Sequence, residues 1–568
     1  MDNVVYDMAS MSEVPPSFFV KKDYLSILDN ANGNYSSNQL VIDTSQLSNS
    51  NKWISYREGY LLMPLLLSMT SPISTYAVAQ NIDFSVSLKN WYGTIIHSIS
   101  LDLQGSTIIQ QTPFQSLWNC FKLLTTLSYQ SLITEGPTLG FYPDTSTSWR
   151  FNVATTVIGG NGTCNNSNFF VAPVITGAVA TVPRDAFNKG FYERQRVWNI
   201  NPEQTCGAGL YSTLLTQTSA NTIYKSGVFK RFSSTGAVAG VWQCQIQAAI
   251  FLRHLHSFFD KAPLMKGIFF RMTLNLNNAT VLFTTVGAAT GTQLVNSVSV
   301  PVGGVLPFMI SSTAASNGLA EVLAGQYSYN LSVGDTCLDA TMRTAGGANI
   351  STGINKNVTL NVPAYTFNPI FESAYISNSV RKIVYEDIYQ YQVLNVKAGA
   401  QFNNLITNGI AGLKSCLVLP FFNATAANSN IGALAIPPFQ SPWDPCGGGP
   451  TSPMAMINNF NVVVSGQNVL YNNQRYTYEN FIQQLNGQNA INGNLVDGMG
   501  SSLISQVDFE NTYCYYYVDV SRCLPIEVGV SKSVNIIGQN MSVKDLDLYV
   551  FLSYECSVSI DILAGSRV

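Results

Sequence analysis

The chain carries one hairpin-and-helix unit twice. The first copy runs Ile96-His97-Ser98-Ile99-Ser100-Leu101-Asp102-Leu103, turns at Gln104-Gly105, and resumes as Ser106-Thr107-Ile108-Ile109. The second runs Ile457 to Val464, turns at Ser465-Gly466, and resumes as Gln467-Asn468-Val469-Leu470. Apolar and polar residues largely alternate, the pattern of a strand with one buried face, and a tight glycine turn joins two such strands. The two glycines lie 466 − 105 = 361 positions apart. Each hairpin leads into a short amphipathic stretch, with Phe114, Leu117 and Phe121 in one and Tyr478, Phe481 and Leu485 in the other. This i, i+3, i+7 spacing puts three large apolar residues on one side of a helix. Two such units in the same internal order imply a duplicated β domain.

Around those units the coarse pattern is all-β. Residues 1–51 read as an N-terminal arm, because Pro15-Pro16, 30–34 and 45–51 are turn and coil formers with brief apolar spots between them. Strand patterns follow at 53–69, 82–89 and 95–109. Thr112-Pro113-Phe114-Gln115 predicts a helix start, with Thr112 as cap and Pro113 at the first helical position. Residues 126–232 and 284–357 read as long loops rich in Gly, Asn, Ser and Thr. The expected division is a first barrel over 52–376, a linker over 376–381, and a second barrel over 382–568. Short strands bounded by Gly and Pro turns, in two such units, predict two tandem jelly-roll barrels with short helices and long inserted loops.

Composition narrows the function classes. Charged residues make up 11% of the 568, against roughly 25% in an ordinary soluble domain. A surface poor in charge and rich in amides and hydroxyls suits permanent contact with neighbours. The net charge of −3 and pI near 5.7 give no field to hold nucleic acid. The first thirteen residues lack the basic and apolar regions of a signal peptide. The longest apolar run, 60–69, is interrupted by Pro64 and is about half the roughly 20 residues that a membrane helix needs. The chain therefore reads as cytosolic or nuclear when made. Its ten cysteines form no CxxC pair and read as reduced packing residues.

Chemistry-bearing motifs are sparse. No phosphate-binding loop, HExxH, GxSxG or helix-opening GxGxxG occurs. The three histidines are His97, His254 and His256. The last two would share a strand face and could hold a metal, but no Cys or carboxylate motif completes a ligand set, so packing beside Phe258-Phe259 is the favoured reading. Cys514 and Cys523, flanking Tyr515-Tyr516-Tyr517, read as packing residues. Arg184, Lys189, Arg194 and Arg196 lie among Phe187, Phe191, Tyr192 and Trp198. Such interleaving can hold single-stranded nucleic acid, but Asp185 and Glu193 among them favour a subunit-contact loop. Gly447-Gly448-Gly449 reads as a turn. No catalytic, cofactor-binding or metal-binding residue is nominated, and no enzyme activity is expected.

Four stretches together resemble a known family. They are the arm with Asn32-Gly33-Asn34-Tyr35 and Ile42-Asp43-Thr44 running through Tyr56 to Leu66; Leu252 to Gly267 with the strand after it; Leu360-Asn361-Val362-Pro363-Ala364-Tyr365; and the second hairpin with Tyr478-Glu479-Asn480-Phe481 and the C-terminal strands. In this order the chain resembles the double jelly-roll major capsid proteins of the polinton-like virus, virophage and nucleocytoplasmic large DNA virus lineage, nearest to polinton-like viruses and virophages. The resemblance implies a homotrimeric, pseudo-hexagonal capsomer of six barrels in an icosahedral virion shell. Its partners would be neighbouring capsomers with penton and minor capsid proteins, and its loops would crown the outer face. It carries no catalytic site, cofactor or sequence-specific nucleic-acid binding. Synthesis in the host cytoplasm, with assembly in a viral factory or nucleus, goes with that role. The competing class is a carbohydrate-binding or carbohydrate-cleaving β-sandwich, which needs two carboxylates facing across a groove; the acids here are too scattered to nominate a pair.

Overall fold

The computed structural model describes most of 17–144, residues 190, 193 and 194, and most of 230–310, 325–334, 357–423, 438–491 and 501–567. Sixteen strands make two sets of eight. The first set is β1 (Phe19–Leu28), β2 (Gln39–Asp43), β3 (Tyr60–Ser71), β4 (Ile96–Leu103), β5 (Ser106–Ile109), β6 (Gly240–Phe251), β7 (Phe270–Leu276) and β8 (Thr359–Phe367). They form two antiparallel sheets in the orders β1-β8-β3-β6 and β2-β7-β4-β5. The second set is β9 (Val380–Val396), β10 (Gln401–Ile410), β11 (Leu413–Phe422), β12 (Ile457–Val464), β13 (Gln467–Asn468), β14 (Tyr516–Asp519), β15 (Lys532–Asn540) and β16 (Leu546–Asp561). Its sheets are β9-β16-β11-β14 and β10-β15-β12-β13. Adding eight to each strand number of the first set reproduces the second. Pairing the first strand with the last, and alternating strands between two facing sheets, is the jelly roll. The chain is two of them in tandem.

The duplicated hairpin is β4-β5 in the first barrel and β12-β13 in the second. Both turns place two successive residues in the left-handed region, Gln104 (φ 46°) with Gly105 (φ 82°) and Ser465 (φ 49°) with Gly466 (φ 84°). Two positive φ values in a row are what a two-residue hairpin needs to match strand twist. A helix follows each hairpin, α1 (Gln115–Thr126) in the first barrel and, after the linker helix α2 (Pro369–Ile376), α3 (Tyr478–Ile491) in the second. Phe114, Leu117, Trp118 and Phe121 recur as Tyr478, Phe481, Ile482 and Leu485, each 478 − 114 = 364 positions later.

Several expectations need correction. Residues 19–43 are not an arm lying outside the barrel. Phe19 to Leu28 pair in register with Phe367 to Thr359, and Gln39 to Asp43 pair with β7, so these residues are the first two strands of the first barrel. Lys22 bonds Glu58 at 2.6 Å and Asp23 accepts from Lys52 at 2.7 Å, so the charges that obscured the pattern are matched on neighbouring segments. Thr112 is not a helix cap. The helix opens after Phe114, which sits at φ 55°, and the Thr112 hydroxyl is used elsewhere. The stretch after 284 holds strands at Thr292–Ser299 and Gly325–Val333, which with Ala279–Val286 extend the sheet along the far half of β3. Residues 506–511 form a helix ahead of β14. The helix α2 ahead of the second barrel is tied to the first. Trp53 Nε1 (2.9 Å) and Lys266 Nζ (3.1 Å) both donate to Glu372 of α2, and these bonds hold that carboxyl below its ordinary pKa.

Candidate assembly surface

The first barrel's α1 is wedged against the outer face of the second barrel's β9-β16-β11-β14 sheet. One side of the helix, with Leu117, Cys120 and Leu124, is buried. The other side meets aromatic rings of the second barrel. Phe114 lies 5.1 Å from Tyr549, Trp118 lies 6.3 Å from Phe551, and Phe121 lies 5.3 Å from both Tyr515 and Tyr517. As a result Leu546, Leu548, Tyr549, Val550, Phe551 and Leu552 of β16 are all buried, the mark of a strand covered on both faces. Polar bonds fix the register across the seam. Tyr385 donates to the Ile108 carbonyl at 2.7 Å, Thr112 to the Ile388 carbonyl at 3.0 Å, and Ser257 to the Glu386 carbonyl at 2.6 Å while accepting from the Glu386 N–H at 2.8 Å.

The triple glycine belongs to the same seam, and a turn alone does not account for it. Lys89 is fully buried, and its ammonium donates to the Ser441 and Cys446 carbonyls at 3.0 Å each. A buried ammonium is tolerated only with such partners. A Cβ on Gly448 would stand 2.4 Å from the Lys89 Cβ, so only glycine lets the two backbones approach. The signal in the sequence was the run of three glycines; its partner, 359 positions earlier (448 − 89 = 359), was not deducible from spacing.

Elsewhere the barrels present bare faces. Val20 (71% exposed), Tyr24 (61%) and Leu28 (50%) point outward from β1, and Ile370 (72%) is exposed on α2. Exposed apolar residues gathered on one face mark an interaction surface.

His254 lies in a short helix, Leu252–Leu255, and is not on a strand with His256. Burial, helped by the Arg253 charge, pushes its pKa down to about 4, and burial alone does the same for His97. His256 Nδ1 accepts from the Phe258 N–H at 3.2 Å, which leaves Nε2 facing Asp387 of β9 at 3.4 Å, another bond across the seam. A cleft of about 420 Å³ opens beside these residues. Its cations Arg57, Lys122 and Arg253 are each paired, with Asp260, Glu386 and Glu135 at 3.1, 3.4 and 3.2 Å, so it offers no uncompensated charge to a ligand. Among the described residues no three His, Cys, Asp or Glu side chains cluster as a metal site. Arg194 is buried and tied to the Leu88 and Tyr142 carbonyls and to Asp144, so it braces the interior instead of meeting a neighbouring subunit. Arg184, Lys189, Arg196 and Cys523 lie outside the described residues. Cys514 bonds the Ala455 carbonyl through sulfur at 3.4 Å, a packing role.

No protein-family model matches the chain, and no curated protein does. Solved structures do. The Sputnik virophage structure is 10% identical with a TM-score of 0.48, covering 98% of this chain and 89% of the other. The faustovirus major capsid protein is 10% identical at 0.43, covering 96% and 91%, and the mavirus major capsid protein 9% identical at 0.41, covering 99% and 93%. At such identities the likeness is one of fold. Independently of it, the strand order and the repeat of that order establish this chain as a double jelly roll.

Proposed function

We propose that this chain is the major capsid protein of an icosahedral DNA virus, and that three copies form a pseudo-hexagonal capsomer. The observation that carries the reading is a pair of barrels with the same strand order, joined in one chain by a rigid aromatic seam. Two equivalent barrels per chain, taken three times, fill six equivalent positions of a hexagonal block, which tiles a surface with few gaps. Closed barrels leave few free sheet edges, so repeated copies pack by side chains and loops and not by uncontrolled strand addition. A chain with 11% charged residues avoids repulsion between many identical walls. The protein resides in the virion, touches neighbouring capsomers, and meets penton and minor capsid proteins where the shell changes curvature. Its role is structural and calls for no cofactor. We place the first barrel from 17 to 376 and the second from 380 onward.

Light scattering and electron microscopy of the purified protein test this. The expected result is a particle of about three times the 61.9 kDa chain mass with a six-cornered outline, or closed shells. A stable monomer at micromolar concentration overturns it.

A further inference from the structure

The cleft beside the histidines is walled by both barrels. On the first-barrel side it meets one face of α1, where Asn119, Lys122 and Thr126 follow the i, i+3, i+7 spacing of a helix. Asn119 is the unusual member of that row. It is only 7% exposed, and among the described residues its side chain has no hydrogen-bond partner. An amide buried without a partner is costly, and Asn is a poor residue for a helix interior. Neither the helix nor the packing of the seam accounts for it. Its side chain offers an acceptor, Oδ1, and a donor, Nδ2, side by side.

The rest of the cleft narrows what can meet that amide. Each cation on its rim is matched by a carboxylate, so a charged ligand would have to break a pair. Trp118, Leu123, Leu255 and Ile388 supply apolar wall. The volume of about 420 Å³ falls in the lower part of the range for ligand pockets. The complement is a neutral group with an N–H beside a C=O and an apolar body next to them. One residue of an extended polypeptide has that form, because its N–H and C=O point the same way. We propose that the cleft binds a short, extended, uncharged stretch of another polypeptide, with Asn119 pairing both main-chain groups of one apolar residue. Oδ1 accepts from the peptide N–H, and Nδ2 donates to its carbonyl. Ile388 belongs to the second barrel and Asn119 to the first, so the bound peptide touches both and stiffens the seam between them.

The test uses the full-length protein and three blocked tripeptides, N-acetyl-Ala-X-Ala-amide with Leu, Phe or Trp at the centre. Calorimetric titration should show saturable binding of at least one, at one peptide per chain. Asn119→Leu should weaken that binding about tenfold or more, the effect of losing two hydrogen bonds. Its melting temperature should stay level or rise, because an unpartnered amide has been removed. If the leucine variant misfolds, Asn119→Ser reads the same loss. A tripeptide with the central N–H replaced by an ester oxygen should bind the parent about fivefold less tightly, yet bind Asn119→Leu as the amide does. Absence of saturable binding by all three tripeptides overturns the proposal, since the amide then meets only solvent. Binding that both substitutions leave unchanged lies elsewhere on the protein and overturns it as well. A melting temperature that falls with both substitutions makes Asn119 a structural residue, which also overturns it. The site lies within one chain, so none of these outcomes bears on the trimer reading.

Discussion

The two helices that follow the two hairpins occupy the same place in the strand order but do different work. Every residue of α1 from Gln115 to Leu124 except Lys122 is buried, because the helix has a barrel on each side. In the described part of α3 only Phe481 is buried. The sequences differ accordingly: Trp118 and Phe121 in α1 face Ile482 and Leu485 in α3. The sheets differ in the same sense. The covered strand β16 reads Leu-Asp-Leu-Tyr-Val-Phe-Leu, apolar on both faces, whereas β8 reads Thr-Leu-Asn-Val-Pro-Ala-Tyr. A duplicated fold thus keeps its topology while one copy of each surface is converted into interior.

The largest way to break the comparison is to remove what the first barrel shares with the second. Deleting residues 1–28 takes away β1, and with it nine positions of the β1-β8 ladder. The expected outcome is loss of soluble protein with a protease-resistant first barrel; recovery of that barrel would mean that β1 is dispensable. Next comes the wedge. Trp118→Ala should cost about 3–5 kcal/mol in a denaturant titration, as a large core truncation does, while Ile482→Ala in a dissociated chain should cost about 1 kcal/mol. Equal costs would show that the two helices are buried alike.

The smallest expected effect is on pH. All three histidines lie in the first barrel, and His97 and His254 are held near pKa 4 by burial. The unfolded chain, with ordinary imidazole pKa values near 6.5, takes up protons that the folded chain refuses. Stability is therefore full above about pH 6.5 and falls as the pH drops toward 4, by about 1 kcal/mol per histidine at pH 5.5. Melting curves from pH 7.5 to 5.5 should show the first barrel loosening before the second, and His97→Asn should flatten part of that slope. A slope unchanged by the substitution would assign it to other groups.

How much of this was legible follows from how local each signal is. Both hairpins and both helices announce themselves within about 30 residues, through alternation, turn glycines and helical spacing. The strand β1 does not. Its inward row is Phe19, Leu25 and Ile27, its outward row Val20, Lys22, Tyr24, Ser26 and Leu28, and Lys21 and Asp23 blur the alternation. Its partner lies more than 300 residues away, so no window of sequence contains the pair. The seam was hidden for the same reason. Lys89 and Gly448, or Trp118 and Phe551, are ordinary residues until the fold brings them together.

Because β1 pairs with β8, the first barrel cannot close until residue 367 has left the ribosome, and the second, pairing β9 with β16, cannot close until 561 has. Every nascent chain therefore spends a long interval with an open sheet. Long-range pairings of this kind fold slowly, and species with unpaired strands aggregate. The hazard is greatest at α1: Phe114, Trp118 and Phe121 emerge some 400 residues before Tyr515, Tyr517, Tyr549 and Phe551, the rings that cover them. Until then the completed first barrel displays a greasy ridge to solvent. Yield from a recombinant host should accordingly depend on chaperone supply and elongation speed more than on the stability of the finished protein.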